Sequence, residues 1–284
     1  MIRILNIIIT GGTSGLGYRT AFILAKNNKN KIILIGKNKA KGNQAIKSLT
    51  NETNNKNISF LQADLSSISE TSSLKEKLVN NKIDVLINNA GALFYSRLES
   101  VDGIEKTFAL NHLSYFILSN LLLKNKIIKN GARIINVASG AHRGVDIDFD
   151  DIEMVNNYNG WISYKKSKLC NILFTKKLSK LVSKNNITVN CLHPGFVKTS
   201  FGKNNTGVIG LIIKFLMTLF AIKVEEGAET IIYLATSNNV KNISGEYFYK
   251  SKINKPSNFA ENNKSADDLW DLSLKILKNN NLTL

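Results

Sequence analysis

Residues 10–17 read Thr-Gly-Gly-Thr-Ser-Gly-Leu-Gly and follow an apolar run over residues 4–9. This order predicts a buried strand that enters a glycine turn and then a helix, the arrangement that holds a dinucleotide pyrophosphate at a helix N-terminus. Gly11 permits the tight turn, Gly15 lets backbone N–H groups approach the phosphates, and Gly17 lets the helix pack closely on the strand. The beginning of the chain therefore predicts a dinucleotide-binding unit.

Apolar, β-branched runs alternate with helical patterns along the rest of the chain. The sequence predicts strands at Ile4–Thr10, Lys31–Ile35, Ile58–Gln62, Val85–Asn88, Arg133–Ser139, Thr188–Leu192 and Glu246–Tyr249. Helices are predicted near 15–26, 40–50, 69–79, 102–128, 163–183, 224–236 and 265–278. Short apolar strands separated by helices are typical of a parallel sheet covered on both faces. Because no linker divides the sequence, we expect residues 1–284 to form a single doubly wound α/β domain of the Rossmann type. Its central parallel sheet should have about seven strands, with helices on both faces.

The composition narrows the classes of partner. The chain has 38 Lys and Arg against 21 Asp and Glu, a net charge of +17. These cations are scattered among asparagines and form no basic stripe, so we expect no nucleic-acid partner. Two cysteines and three dispersed histidines predict neither a disulfide framework nor a metal site. The apolar run after Arg3 is too short for a signal peptide; with no transmembrane anchor in view, we expect a cytoplasmic protein.

Polar and glycine residues follow the predicted strands at the edge where a doubly wound fold binds its ligand. After the glycine turn, the residues at successive strand ends are Lys37, Asp64, Asn88-Asn89-Ala90-Gly91, Ser139 and His193-Pro194-Gly195. Because the carboxyl ends of parallel strands share one edge of the sheet, these residues should converge on one site.

Tyr164 and Lys168 lie four residues apart in the predicted helix 163–183, so their side chains share one helix face. An ammonium about 4 Å from a phenol, at an effective dielectric near 20, contributes roughly 4 kcal/mol. We therefore expect the pKa of Tyr164 to fall below its usual value, which would make the phenol a general acid or base near neutral pH.

Six motifs follow one another along the chain: Thr10-Gly-x-x-x-Gly-x-Gly, Asn88-Asn-Ala-Gly, Asn111, Ser139, Tyr164-x-x-x-Lys168 and Pro194-Gly195. Together and in this order they resemble the short-chain dehydrogenase/reductase family, and the resemblance extends from residue 4 to about residue 249. Asn136-Val-Ala-Ser-Gly-Ala-His, Ser167-Lys-Leu-x-Asn and His193-Pro-Gly-Phe-Val-Lys-Thr are similar to the retinol-dehydrogenase-like branch.

The resemblance implies an oxidoreductase that acts on a CH–OH group and interconverts a carbonyl and an alcohol. Tyr164 would then donate and accept the proton, and Lys168 would lower its pKa and bind the nicotinamide ribose. Ser139 would hydrogen-bond the substrate oxygen, and Asn111 would hold a water that links Lys168 to solvent. The implied cofactor-binding residues are Gly11, Thr13, Ser14, Gly15, Leu16, Gly17, Lys37, Asp64, Leu65, Asn89, Ala90, Gly91, Tyr164, Lys168, Pro194, Gly195, Val197 and Thr199.

The end of the second strand bears on the choice of cofactor. A carboxylate there would hydrogen-bond the ribose 2′-hydroxyl of NAD. This chain instead has Gly36 followed by Lys37, and a cation suits the 2′-phosphate of NADP. We therefore expect NADP(H) to be preferred over NAD(H), with Arg19 or Lys39 as assisting cations.

Residues 207–222 are apolar around Lys214, too short and interrupted for a membrane span. The resemblance implies a substrate lid near 200–223, and two interpretations stay open. The segment could cover a pocket for a lipophilic carbonyl or alcohol such as a retinoid, steroid or fatty aldehyde, or it could contact a membrane peripherally. In many relatives the helices that correspond to 102–128 and 163–183 form a dimer surface, so a homodimer is also compatible with the sequence.

Two other classes of function compete with this interpretation. A catalytically inactive cofactor-binding regulatory protein would keep the fold, but the presence of Asn111, Ser139, Tyr164 and Lys168 argues against lost catalysis. A sugar-nucleotide epimerase or dehydratase shares the fold and the Tyr/Lys pair. Such relatives usually have a differently spaced glycine motif and a larger C-terminal substrate domain.

Overall fold

The computed structural model describes residues 4–195 and 224–284. Its strands are β1 (Asn6–Thr10), β2 (Lys31–Gly36), β3 (Ile58–Gln62), β4 (Ile83–Asn88), β5 (Ile128–Val137), β6 (Thr188–His193), β7 (Tyr247–Tyr249) and β8 (Lys252–Ile253). They form one sheet in the order β3-β2-β1-β4-β5-β6-β7-β8. The strands β1 to β7 pair in parallel, and β8 pairs antiparallel with β7. The doubly wound fold is confirmed, and β8 adds a short strand that the sequence did not predict.

Helices cover both faces of this sheet. They are α1 (Gly15–Ala25), α2 (Lys39–Thr53), α3 (Ile68–Leu78), α4 (Lys106–Phe108), α5 (Ser114–Lys124), α6 (Gly160–Leu181), α7 (Val224–Thr236), α8 (Asn258–Glu261) and α9 (Asn263–Asn279), with a π-helix at Ala109–Leu113 and short 3-10 helices at Gly140–His142, Ser183–Asn185 and Asn238–Val240. Alternate residues of β1 pack into two separate hydrophobic cores: Ile7 and Ile9 belong to one, and Ile8 belongs to the other. Side chains along a strand point to opposite faces, which is why an all-apolar strand lies at the centre.

The bounds of two predicted elements depart furthest from the structure. The fifth strand runs over Ile128–Val137, not 133–139. Its first residues were not predicted as strand because the backbone is irregular there: Gly131 has a positive φ of 74°, and the register with β4 shifts. The predicted helix 102–128 is confined to 106–124 and includes the π-helix. It ends before Lys126, whose φ of 53° reverses the chain into β5.

The C-terminal helix α9 packs against α5 and α6. The Trp270 ring lies 4.7 Å from that of Phe116 and 6.1 Å from that of Phe174, and Lys177 forms a 2.6 Å ion pair with Asp267. This contact covers part of the surface of α5 and α6 that the sequence analysis names as a possible dimer surface. A homodimer through that part of the face would have to displace α9.

Among the residues that the structure describes, no helix combines the length and the apolar character needed to cross a bilayer. The predicted lid near 200–223, with its apolar stretch 207–222, lies outside the described residues.

Candidate active site

A cleft of about 920 Å³ lies at the carboxyl ends of the central strands. It brings together most of the residues that the sequence singled out. These are Gly11, Thr13, Ser14, Gly15, Leu16, Gly17, Lys37, Asp64, Leu65, Asn89, Ala90, Gly91, Ser139, Tyr164, Lys168, Pro194 and Gly195. Asn111 does not line the cleft but lies behind it, and Val197 and Thr199 fall outside the described residues.

The glycine turn between β1 and α1 forms one end of the cleft. Gly11 and Gly15 have positive φ angles of 65° and 54°, which L side chains adopt only with strain. A Cβ at Gly17 would collide with the carbonyl oxygen of Gly11. The side chain of Ser14, the N-cap residue of α1, makes no capping hydrogen bond, so the first backbone N–H groups of the helix are available to an anion. This cradle fits a pyrophosphate.

Asn89 ties the end of β4 to the glycine turn. Its Nδ2 donates to the Thr10 carbonyl at 2.8 Å, while the backbone N–H groups of Asn89 and Ala90 donate to the Thr10 hydroxyl at 2.8 and 3.0 Å. Asn89 therefore holds the end of β4 against the glycine turn, and both segments line the cleft. A Cβ at Gly91 would lie 3.4 Å from Lys168 Nζ, which indicates how closely this backbone approaches the lysine.

Tyr164 and Lys168 project from one face of α6 into the cleft. Tyr164 is 8% exposed and Lys168 is 4% exposed, and Lys168 Nζ lies 5.6 Å from the centre of the Tyr164 ring. The ammonium donates to the carbonyl of Val137, the last residue of β5, at 2.9 Å. The start of α6 is held by Glu105, which accepts a 3.1 Å bond from Ser163.

Burial opposes the expected pKa of Tyr164. It raises the pKa of this phenol to about 12, with a smaller lowering from the hydrogen bond to Ser139. Burial also lowers the pKa of Lys168 to about 7. The expectation that the pKa of Tyr164 lies below its usual value is therefore wrong for the protein groups alone, because burial of the phenol disfavours its charged form.

Ser139 lies two residues beyond β5, rather than at its end as predicted. It has extended backbone (φ −160°) and is the N-cap of the 3-10 helix Gly140–His142. Its hydroxyl accepts a 3.1 Å bond from the Ala141 N–H and is hydrogen-bonded to Tyr164. Two hydroxyl groups thus meet at one point of the cleft.

Asn111 lies in the π-helix Ala109–Leu113, a distortion that is frequent at functional sites. Its Oδ1 accepts from the Ala92 N–H and its Nδ2 donates to the Ala92 carbonyl, both at 2.9 Å. Nδ2 also donates to Ser167 Oγ at 3.0 Å. The side chain therefore fixes the loop that begins at Gly91 to helix α6.

Lys37 and Asp64 form an ion pair of 2.6 Å across the ends of β2 and β3. The hydrogen bonds from Lys37 and Ser66 hold the pKa of Asp64 below its ordinary value, although desolvation opposes them. Arg19 forms an ion pair with Glu225 of α7 at 3.2 Å. Neither Arg19 nor Lys39 lines the cleft.

The opposite end of the cleft is lined by side chains that sequence reasoning missed. Phe94, Leu110 and Trp161 supply an apolar wall, and Lys106 supplies a cation. His193, a strand-end residue that the sequence did single out, also lines the cleft. The Trp161 ring stacks on that of Tyr164 at 5.7 Å. Phe94 belongs to an irregular loop whose sequence has no period that could have revealed it. Trp161 lies one helical turn before Tyr164, and that spacing was the available signal.

Comparisons with known proteins agree with this geometry. The model of the short chain dehydrogenase family matches residues 5–207. The short-chain dehydrogenase TIC 32 A of Brassica napus is 36% identical over 96% of this chain and 89% of its own. Retinol dehydrogenase 13 of Homo sapiens is 35% identical over 96% of this chain and 84% of its own, and polyprenol dehydrogenase of Homo sapiens is 34% identical over 95% and 84%.

A solved structure of an uncharacterised protein from Mycobacterium paratuberculosis has a TM-score of 0.77 at 25% identity, covering 96% of this chain and 93% of its own. The fold and the cleft thus define a dinucleotide-binding oxidoreductase architecture. The chain belongs to the short-chain dehydrogenase family, and it is similar to the retinol-dehydrogenase-like branch.

Proposed function

We propose that the protein is an NADP(H)-dependent oxidoreductase that interconverts an aldehyde or ketone with an alcohol on a lipophilic substrate. The observation that carries this proposal is the meeting of the Tyr164 and Ser139 hydroxyls in a cleft whose other end is a glycine cradle. A nicotinamide dinucleotide bound along this cleft would exchange the hydride with the substrate carbon.

The chain's own residues would handle the proton and the oxygen. In reduction, Tyr164 donates its proton to the developing alkoxide, and Ser139 donates a hydrogen bond to the same oxygen, which stabilises charge that grows in the transition state. Lys168, with a pKa lowered to about 7 by burial, can gain or lose a proton at neutral pH and so resupply the phenol. Asn111 would hold the loop beside Lys168 and, through a water, extend this proton path to solvent.

The cofactor would lie with its pyrophosphate against Gly11–Gly17 and its adenosine near Asp64 and Leu65. Its nicotinamide end would meet Asn89–Gly91, Pro194 and Gly195, and we expect Val197 and Thr199 to contribute beyond. Gly36 and Lys37 at the end of β2 support NADP(H) over NAD(H), because Lys37 is 70% exposed in its side chain and can turn from Asp64 to a 2′-phosphate.

The substrate class follows from the apolar wall of Phe94, Leu110 and Trp161. Curated relatives are named for retinol and polyprenol, which are lipophilic alcohols. We infer a lipophilic alcohol or carbonyl for this chain as well, under the lid predicted near 200–223. Peripheral membrane contact through 207–222 stays a prediction.

The direct test is consumption of NADPH by the purified protein with straight-chain aldehydes and ketones of increasing length. We expect turnover that rises with chain length, and a lower KM for NADPH than for NADH. Absence of turnover with every carbonyl and every alcohol, in both directions and with both cofactors, would contradict the proposal.

A further inference from the structure

His142 is a fully buried histidine that the proposed reaction does not use, although it lies three residues after Ser139. Its Nδ1 lies 2.6 Å from the Ser139 carbonyl oxygen, and its backbone N–H also donates to that oxygen, at 3.3 Å. On the other side of the ring, the backbone N–H of Ser257 donates to Nε2 at 3.0 Å.

These partners fix the tautomer of the ring. A backbone N–H can only donate, so Nε2 must be the unprotonated acceptor. A carbonyl oxygen can only accept, so Nδ1 carries the proton and donates it to Ser139. The neutral Nδ1–H form therefore satisfies both ring nitrogens, and burial lowers the pKa of His142 in agreement with a neutral ring.

The surroundings of His142 hold it in this place. Its ring packs edge-on against Tyr247 of β7 at 5.1 Å, and the His193 imidazole lies so close to Gly140 that a Cβ there would come within 2.9 Å of it. The next residue, Arg143, donates to the Lys255 carbonyl at 2.6 Å. His142 and Arg143 thus form hydrogen bonds with the segment Lys255–Ser257, which leads into α8 and α9.

We propose that His142 is a positioning residue for Ser139, and that it couples the C-terminal segment from Ser257 onward to the active site. The ring orients the peptide that carries the Ser139 side chain through the Nδ1–H bond, and the Ser257 N–H holds the ring in place through Nε2. The kinetic part of this inference rests on the proposed function, because it concerns the serine that would hold the substrate oxygen.

Two substitutions separate the two hydrogen bonds. His142→Asn keeps a donor at the position of Nδ1 and loses the acceptor for Ser257. His142→Gln can keep an acceptor at the position of Nε2 and loses the donor to Ser139. His142→Leu loses both and keeps a buried apolar side chain.

The kinetic experiment measures NADPH oxidation with decanal as the probe. Displacement of a positioned group by 1 Å costs about 100-fold in rate, so we expect kcat to fall at least about tenfold in the Gln and Leu variants. In the Asn variant it should stay within about threefold of wild type, with the KM for NADPH unchanged in all three. In a Ser139→Ala background the Gln substitution should lower kcat no further, since coupled residues are not additive. Equal losses in the Asn and Gln variants, or full additivity with Ser139→Ala, would overturn the proposal.

A second readout needs no substrate and so separates this inference from the proposed function. Long-range ¹H–¹⁵N spectra of the histidine rings at pH 7 should show His142 protonated at Nδ1 alone. In Ser257→Pro the N–H that donates to Nε2 is gone, and the native φ of −71° at this position suits proline. The Ser139 carbonyl should still keep the proton on Nδ1, while the Nε2 resonance should shift to that of a ring nitrogen that accepts no hydrogen bond. A wild-type ring protonated at Nε2, or at both nitrogens, overturns the inference even if decanal is reduced as proposed. If decanal is not turned over, these spectra still decide whether the ring has the tautomer that the inference requires.

Discussion

At the scale of single residues, Lys37 and Asp64 form an ion pair at the end of the cleft where the adenosine would lie. Lys37 is the residue on which the preference for NADP(H) rests, and its partner is Asp64. An exposed pair of this kind is weak, typically within about 1 kcal/mol, so a bound phosphate can compete for the lysine. The ion pair is therefore compatible with a role for Lys37 in binding.

Replacing this lysine should change cofactor preference. In Lys37→Ala we expect the KM for NADPH to rise about tenfold and the KM for NADH to stay within about twofold, because loss of one charge-assisted contact is worth roughly 1.5 kcal/mol. Steady-state kinetics with both cofactors measure the change. Lys47→Ala, an exposed position on α2 that does not line the cleft, is the control. Equal effects on the two cofactors would remove the argument for NADP(H).

Lys168 should leave a signature in the pH dependence of stability. Its pKa is about 7 in the fold and about 10.4 in an unfolded chain, so the unfolded state binds more protons between these values. The free energy of unfolding contributed by this group should therefore rise with pH across that window, by at most about 1.4 kcal/mol per pH unit. Lys168→Met should remove this rise in urea titrations at pH 7 to 10. Lys165→Met, a partly exposed position on α6, should not, and identical slopes in both variants would show that burial does not hold the Lys168 pKa down.

At the scale of elements, the π-helix Ala109–Leu113 is the part of the site that sequence could not reveal. Its residues are buried except for Leu110, so the apolar pattern has no period that could tell a π-turn from an α-turn. By contrast, the glycine turn, Asn89–Gly91 and the Tyr164/Lys168 pair were predictable because their spacing is local. The side-chain role of Asn111 depends on Ala92 and Ser167, which are distant in sequence.

We expect Asn111→Ala to destabilise the fold by about 2–3 kcal/mol, since it leaves the Ala92 N–H and the buried Ser167 hydroxyl without this partner. Asn111→Asp keeps the acceptor for Ala92 and should retain part of the lost stability. Urea unfolding followed by fluorescence measures both. A loss below about 0.5 kcal/mol in the Ala variant would mean that the loop at Gly91 is held by other contacts.

At the scale of the whole molecule, the C-terminal helix α9 closes the side of the domain behind the active site. The sequence predicted this helix from its amphipathic pattern near 265–278 but not what it covers, because its contacts to Phe116 and Phe174 span more than 90 residues. The hydrogen bond between Ser257 and His142 could not be predicted for the same reason, since 115 residues separate the two. Long-range packing, rather than local propensity, accounts for most of what the sequence left open.

Trp270→Ala should therefore lower the free energy of unfolding by about 2–4 kcal/mol, because it removes a large ring that packs on both Phe116 and Phe174. Leu274→Ala, on the same helix but 36% exposed, should cost about 0.5 kcal/mol or less. Chemical denaturation of the two variants gives the difference. Similar small losses in both would mean that α9 contributes little to the stability of the domain.

The central claim is that the Tyr164 hydroxyl supplies the proton in a hydride-transfer reaction carried out in this cleft. The most direct measurement is single-turnover oxidation of bound NADPH by decanal in wild type and in Tyr164→Phe, with the affinity for NADPH determined by fluorescence. We predict that the variant loses at least about 1,000-fold in rate, in keeping with removal of a general acid, while its NADPH affinity changes less than about threefold. A variant that retains more than a tenth of the wild-type rate would contradict the claim.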